Sequence, residues 1–129
     1  MLVTEGEMLY KVITYKNRNG KDEVAEYINE LNEKMGTNKD ARIHYKKMME
    51  YIGQLQTYGV VVGKPAIEHM TGTDLWELRP TNDRILFAYW TDNVFILLHH
   101  FTKKTQKTPP REIERAQRKL KDFIERYGN

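Results

Sequence analysis

The sequence predicts an α+β domain in which helices pack on a small twisted antiparallel sheet, in the order β-α-α-β-β-β-α. Three observations carry this. Two early stretches place apolar residues three or four apart, the spacing of a helix face. Three later runs of β-branched and aromatic residues are separated only by turn-length connections. The last stretch, after a Pro-Pro pair, returns to helical spacing. At 129 residues the chain suits one domain, 1–129, with one sizeable core.

Each element has its own signal. The segment MLYKVITY, 8–15, is rich in β-branched and aromatic residues and reads as a strand. A polar turn with Asn-Gly follows. Val24, Ile28, Leu31 and Met35 mark one helix face, and Gly36 is its expected cap. A second helix starts near Asn38 or Lys39, with Ala41, Tyr45, Met48, Ile52 and Leu55 as its stripe and Gly59 as its end. Within residues 60–74 a short helical turn is expected around Ile67 to Met70. LWELR (75–79), RILFAYW (84–90) and VFILLHHF (94–101) are joined by PTND and TDN, and form an antiparallel meander. Thr108 is the expected N-cap of the last helix and Pro109 its first residue. Ile113, Ala116, Leu120, Phe123, Ile124 and Tyr127 form its apolar face.

Composition excludes several classes. There is no cysteine, so neither a disulfide scaffold nor a thiolate metal site is possible. The start of the chain lacks the pattern of a signal peptide, and its apolar runs are too short to span a bilayer, so a cytoplasmic protein without membrane contact is expected. HYKK (44–47) and IEHM (67–70) do not form a metal set with His99 and His100. No metal or cofactor is expected.

The net charge is only +3, but its distribution is uneven. Residues 99–129 hold nine Lys/Arg against four Asp/Glu, and the rest of the chain twelve against fourteen. In FTKKTQKTPPREIERA, 101–116, Lys103, Lys104 and Lys107 crowd a helix N-terminus that is already electropositive. That conflict points to an anion site, with a polyanion as partner.

Strand alternation adds arginines to it. Arg84, Leu86, Ala88 and Trp90 share one face, read as open, and Ile85, Phe87 and Tyr89 the other, read as core. A hairpin brings Arg79 and Arg84 together, where they repel unless an anion lies between them or Asp83, Asp92 or Glu77 pairs with them. The same alternation puts His99 with Phe95 and Leu97, and His100 with Val94 and Ile96, so only one of them shares the side of Arg84.

From Leu75 to Phe123 the sequence resembles the phage-derived Gp49-like branch of the RelE/HigB toxins. The marks are Trp-Glu-Leu-Arg, Arg-Ile-Leu, and Leu-Leu-His followed by Phe-x-Lys-Lys-x-x-Lys-x-Pro, in this order and spacing. The family usually has glycine where this chain has His100. The resemblance implies a RelE-like fold and an endoribonuclease, usually acting on mRNA in translating ribosomes. It implies as partner a HigA-like helix-turn-helix antitoxin in a toxin–antitoxin hetero-oligomer. Arg79, Arg84 and the Lys103–Lys107 segment match the family's basic site, and His99 its histidine at the end of the last strand.

RNA cleavage through its own 2′-OH fits this residue set. Arg79 and Arg84 are phosphorane stabilisers, since guanidinium matches two phosphate oxygens at once. Lys103 or Lys104, each among other cations, is the candidate base, and His99 or His100 the candidate acid. Thr105, Gln106, Lys107, Arg111 and His100 would hold the RNA, with Trp90, and less so Trp76 and Tyr89, stacking on bases. Two other readings stand beside this one: a binding protein without catalysis on the same fold, and a ParE-like gyrase poison.

Overall fold

In the computed structural model, which describes residues 8–128, the two expected helices form, the first capped at Met35 in a right-handed conformation rather than at the expected Gly36. Asp22 opens α1 (Glu23–Lys34) by accepting from the Ala25 amide, and Asn38 opens α2 (Lys39–Tyr58) by accepting from the Ala41 amide. α2 ends at Gly59, whose φ of 69° suits glycine. A Cβ there would also lie 2.8 Å from the Tyr10 ring. A 3-10 turn, Gly59–Val62, leads on from it. Residues 1–7, and with them the signal-peptide reading, lie outside the described residues. Among the described residues no helix is long and apolar enough to cross a membrane.

β1 (Lys11–Thr14), β2 (Ile67–His69), β3 (Trp76–Leu78), β4 (Asp83–Tyr89) and β5 (Val94–Thr102) form one sheet in the order β1-β5-β4-β3-β2. The expected meander β3-β4-β5 is antiparallel throughout. β1 joins β5 in parallel, so the sheet is mixed rather than purely antiparallel. The edge strand's sequence carries no signal for its direction. β2 is a second difference. Ile67 and Met70 stand three apart and read as a helical turn, but Ile67 pairs with Leu78 and His69 with Trp76. A strand of three residues is too short to show a period of two, and the free edge of β3 satisfies its backbone instead.

The sheet is covered on both sides. Ile85, Phe87, Phe95 and Leu97 pack under α1 and α2 with Val24, Met48, Ile52 and Leu55. Leu86, Ala88, Ile96 and Leu98 pack under α3 (Pro110–Tyr127) with Ala116 and Phe123. The face expected to be open is therefore closed over most of β4. The physical reason is in the strand itself: Leu86, Phe87 and Ala88 are consecutive, apolar and buried, the pattern of a central strand covered on two sides. Only the Arg84 end of that face extends past the helix.

A bulge changes the alternation. Leu86 pairs with His99 but Phe87 with Leu97, so Leu98 is an extra residue on β5. His99 thereby moves to the face of Arg84, Leu86 and Ile96, and His100 to that of Ile85 and Leu97, the reverse of strict alternation. α3 also starts one residue later than expected. Pro109 is the N-cap, without a capping side chain, and Pro110 is the first helical residue. Thr108 thus lies one residue before the cap, and its hydroxyl donates to Glu77.

Candidate functional site

The Glu of Trp-Glu-Leu-Arg organises the basic end of the sheet. Glu77 is almost wholly buried, and its Oε1 accepts from Arg79 Nε at 2.8 Å and lies 3.9 Å from Arg84 Nε. Its Oε2 accepts from Thr108, just before α3. The anion that two neighbouring arginines require is thus a side chain of the protein. Arg79 also pairs with Glu68 on β2. With two carboxylates on it, Arg79 stands in an ion-pair network and does not line the cleft described next.

That cleft, of about 480 Å³, opens where the β3–β4 turn meets the loop after β5. Thr81, Asn82 and Arg84 line one side, and Lys103, Lys104, Thr105 and Gln106 the other. No carboxylate is among these residues. The two walls are tied by the backbone, since Lys103 N–H donates to Asn82 O at 2.8 Å. Arg84 is fixed from behind: NH1 donates to the carbonyls of Thr81 and Asp83, both at 2.8 Å. Both NH1 protons are then engaged, which leaves the NH2 end of the guanidinium for an anion rather than a free two-pronged fork. Burial pulls the Arg84 pKa below its ordinary value, with Glu77 opposing.

A second recess adjoins the first through Lys104 and Thr105 and continues past Arg111 to the head of α3. Lys104, Thr105, Gln106 and Arg111 are exposed. Lys107 is exposed as well, but it lines neither recess; its carbonyl accepts from the Thr105 hydroxyl.

The two candidate histidines do not face this cleft. His99 is 4% exposed and sits under α3. Its Nδ1 accepts from Lys119 Nζ at 2.8 Å, and its Nε2 meets Glu112 Oε1 at 2.9 Å. Lys119 continues to Glu23, so the set ties β5 to both α3 and α1. Burial lowers the His99 pKa, only partly offset by Glu112, so the ring is neutral near pH 7. His100 stacks on the Tyr27 ring at 3.7 Å and bonds Asp83 Oδ1 at 3.0 Å. Trp90 lies at the opposite end of β4 from Arg84. Its ring packs edge-on against Phe123 at 4.9 Å, and its Nε1 donates to Gly128 O.

Sequence reasoning missed a cluster around Asp83, which is fully buried. It collects Tyr27 OH at 2.8 Å, His44 Nδ1 at 2.8 Å and His100 Nε2 at 3.0 Å. Burial pushes the Asp83 carboxyl up, but the hydrogen bonds from His100, His44 and Tyr27 outweigh it and hold it below the ordinary aspartate value. Burial and the Asp83 contact push the Tyr27 phenol up. The four residues come from α1, α2, β4 and β5, and no local motif links them.

Compared with known proteins, residues 26–121 match the profile of the family described as phage derived protein Gp49-like (DUF891). No curated protein matches the chain.

Proposed function

The chain belongs to the phage-derived Gp49-like family, and from that premise we propose that it is the toxin of a type II toxin–antitoxin module, of RelE/HigB type. Its reaction is endonucleolytic cleavage of mRNA on the ribosome, and its partner a HigA-like helix-turn-helix antitoxin. The observation that carries this reading is the carboxylate-free cleft in which a buttressed Arg84 faces Lys103 and Lys104.

The chemistry follows from what such a cleft offers a phosphodiester. The 2′-oxygen bonds to phosphorus, the P–O5′ bond breaks, and a 2′,3′-cyclic phosphate and a 5′-hydroxyl result. The phosphorane carries more negative charge than the diester, so a cation already in place favours it selectively. Arg84 supplies that charge, with its position set by two carbonyls and Glu77. One of Lys103 and Lys104 receives the 2′-OH proton and the other holds the phosphate. Gln106 lines the cleft beside them, and Thr105 and Arg111 continue the strand's path towards α3. An antitoxin neutralises the toxin by placing an acidic segment over this face.

Primer extension on cellular mRNA after brief induction tests this, with Arg84→Ala beside wild type. New 5′ ends inside coding regions, in codon phase and only with wild type, are the expected result. Arg84→Ala should still co-purify with the antitoxin. Growth arrest without new ends would move the target to gyrase or elsewhere. Neither ends nor arrest would point to a binding protein without catalysis.

A further inference from the structure

We propose that His44 is the proton donor to the leaving 5′-oxygen, oriented by Asp83; this rests on the reading that the cleft cuts RNA. The tautomer follows from hydrogen-bond accounting. An ionised Asp83 only accepts, so each of its three partners must donate. His44 therefore carries its proton on Nδ1. The same Nδ1 lies 3.2 Å from Thr81 Oγ1, whose own proton goes to Pro80 O, so that oxygen accepts too. Nε2 has no partner among the described residues and is the nitrogen left for proton transfer. A carboxylate on Nδ1 orients the ring and stabilises the imidazolium that Nε2 protonation creates.

His44 does not itself line the cleft; Thr81, which does, connects the two. Its carbonyl holds Arg84, its hydroxyl meets His44, and the residue itself lines the cleft wall. It does so at φ 55°, a left-handed conformation that a β-branched residue adopts only when its surroundings hold it there. The other histidines are excluded by position. Both His99 ring nitrogens are engaged on the α3 side. His100 is enclosed by Tyr27, with a side chain 13% exposed against 25% for His44. His69 is on β2, bonded to Thr73 O.

The step balances. As the P–O5′ bond breaks, the 5′-oxygen takes the proton from His44 Nε2, and the ring is left neutral with Nδ1–H still on Asp83. The groups that touch His44 are Asp83 from β4 and Thr81 from the turn; Tyr27 from α1 and His100 from β5 share Asp83 with it.

His44→Asn tests it with the fold preserved, because the Asn amide can replace Nδ1–H on Asp83 while Nε2 is lost. The full chain is assayed on a model mRNA, free and on programmed ribosomes, with either the natural linkage or a 5′-bridging sulfur at the scissile position. Sulfur leaves without needing a proton. His44→Asn should cut the natural linkage about 10²–10⁴-fold more slowly than wild type. On the sulfur linkage it should cut at nearly the wild-type rate, whereas Arg84→Ala should be slow on both. Undiminished cleavage of the natural linkage by His44→Asn would overturn the assignment alone. So would a loss that sulfur does not restore, since that makes His44 a positioning residue. A wild type that cuts neither substrate in either setting would overturn the nuclease reading, and this assignment with it.

Discussion

Glu77 Oε1 accepts a hydrogen bond from Arg79 Nε at 2.8 Å, from within an almost fully buried position. The same carboxylate faces Arg84 and takes the Thr108 hydroxyl, so it joins β3, β4 and the loop before α3. Glu77→Ala is expected to lower the unfolding free energy by about 3 kcal/mol, the lower end for breaking a buried pair, because Arg79 keeps Glu68. Urea unfolding followed by circular dichroism measures this. Unchanged stability would mean that water replaces the carboxylate at no cost.

Arg84→Lys should not substitute for arginine. A lysine brings the same charge, but one ammonium cannot hold the Thr81 and Asp83 carbonyls and also reach an anion in the cleft. Cleavage is expected to fall about 10²–10³-fold, the cost of losing one preorganised donor. Initial rates on the model mRNA check it; near-normal rates would mean that charge alone suffices there.

Local signals were legible and long-range ones were not. The cap at Asn38 lies within three residues of the amide it serves, so the start of α2 was readable. The pairing of Arg79 and Arg84 around a short turn was also readable, and Glu77 was one of the acids considered for it. The faces of His99 and His100 were not readable, because periodicity assigns faces only while no residue is inserted, and the bulge at Leu98 inserts one. Asp83 and its partners lie 17 to 56 residues apart in sequence, so only folding brings them together. His44, in the polar run His-Tyr-Lys-Lys, was weighed only as a metal ligand, as its place beside Asp83 depends on a carboxylate from another element.

Lys104 lines both recesses and is exposed, the position of a phosphate contact rather than a structural cation. Each phosphate contact to a single strand contributes about 0.7 to the slope of log affinity against log salt. Lys104→Ala should therefore reduce that slope by roughly 0.7–1, and weaken RNA of any sequence alike. Fluorescence anisotropy with a 2′-O-methyl oligonucleotide across a salt series gives the slope. An unchanged slope would place Lys104 outside the RNA path.

His99 should make stability depend on pH in one direction. Burial, opposed by Glu112, lowers its folded pKa below the ordinary value of 6.5, so the unfolded chain binds the proton more readily. Its contribution to stability is therefore intact above about pH 6.5 and is lost as the pH falls below that value, by at most about 1.4 kcal/mol per pH unit. The loss ends once the pH is below the folded pKa. His99→Gln cannot take up a proton and removes this slope. It also disturbs the contacts to Glu112 and Lys119, at a cost of about 2 kcal/mol that does not depend on the histidine's own protonation. The stability difference between wild type and variant, from urea unfolding between about pH 5 and 8, should thus be largest at the alkaline end and shrink on acidification. A difference that stays constant would mean that His99 is protonated as readily in the fold as in the open chain. A difference that grows on acidification would mean that Glu112 outweighs burial and holds the imidazolium.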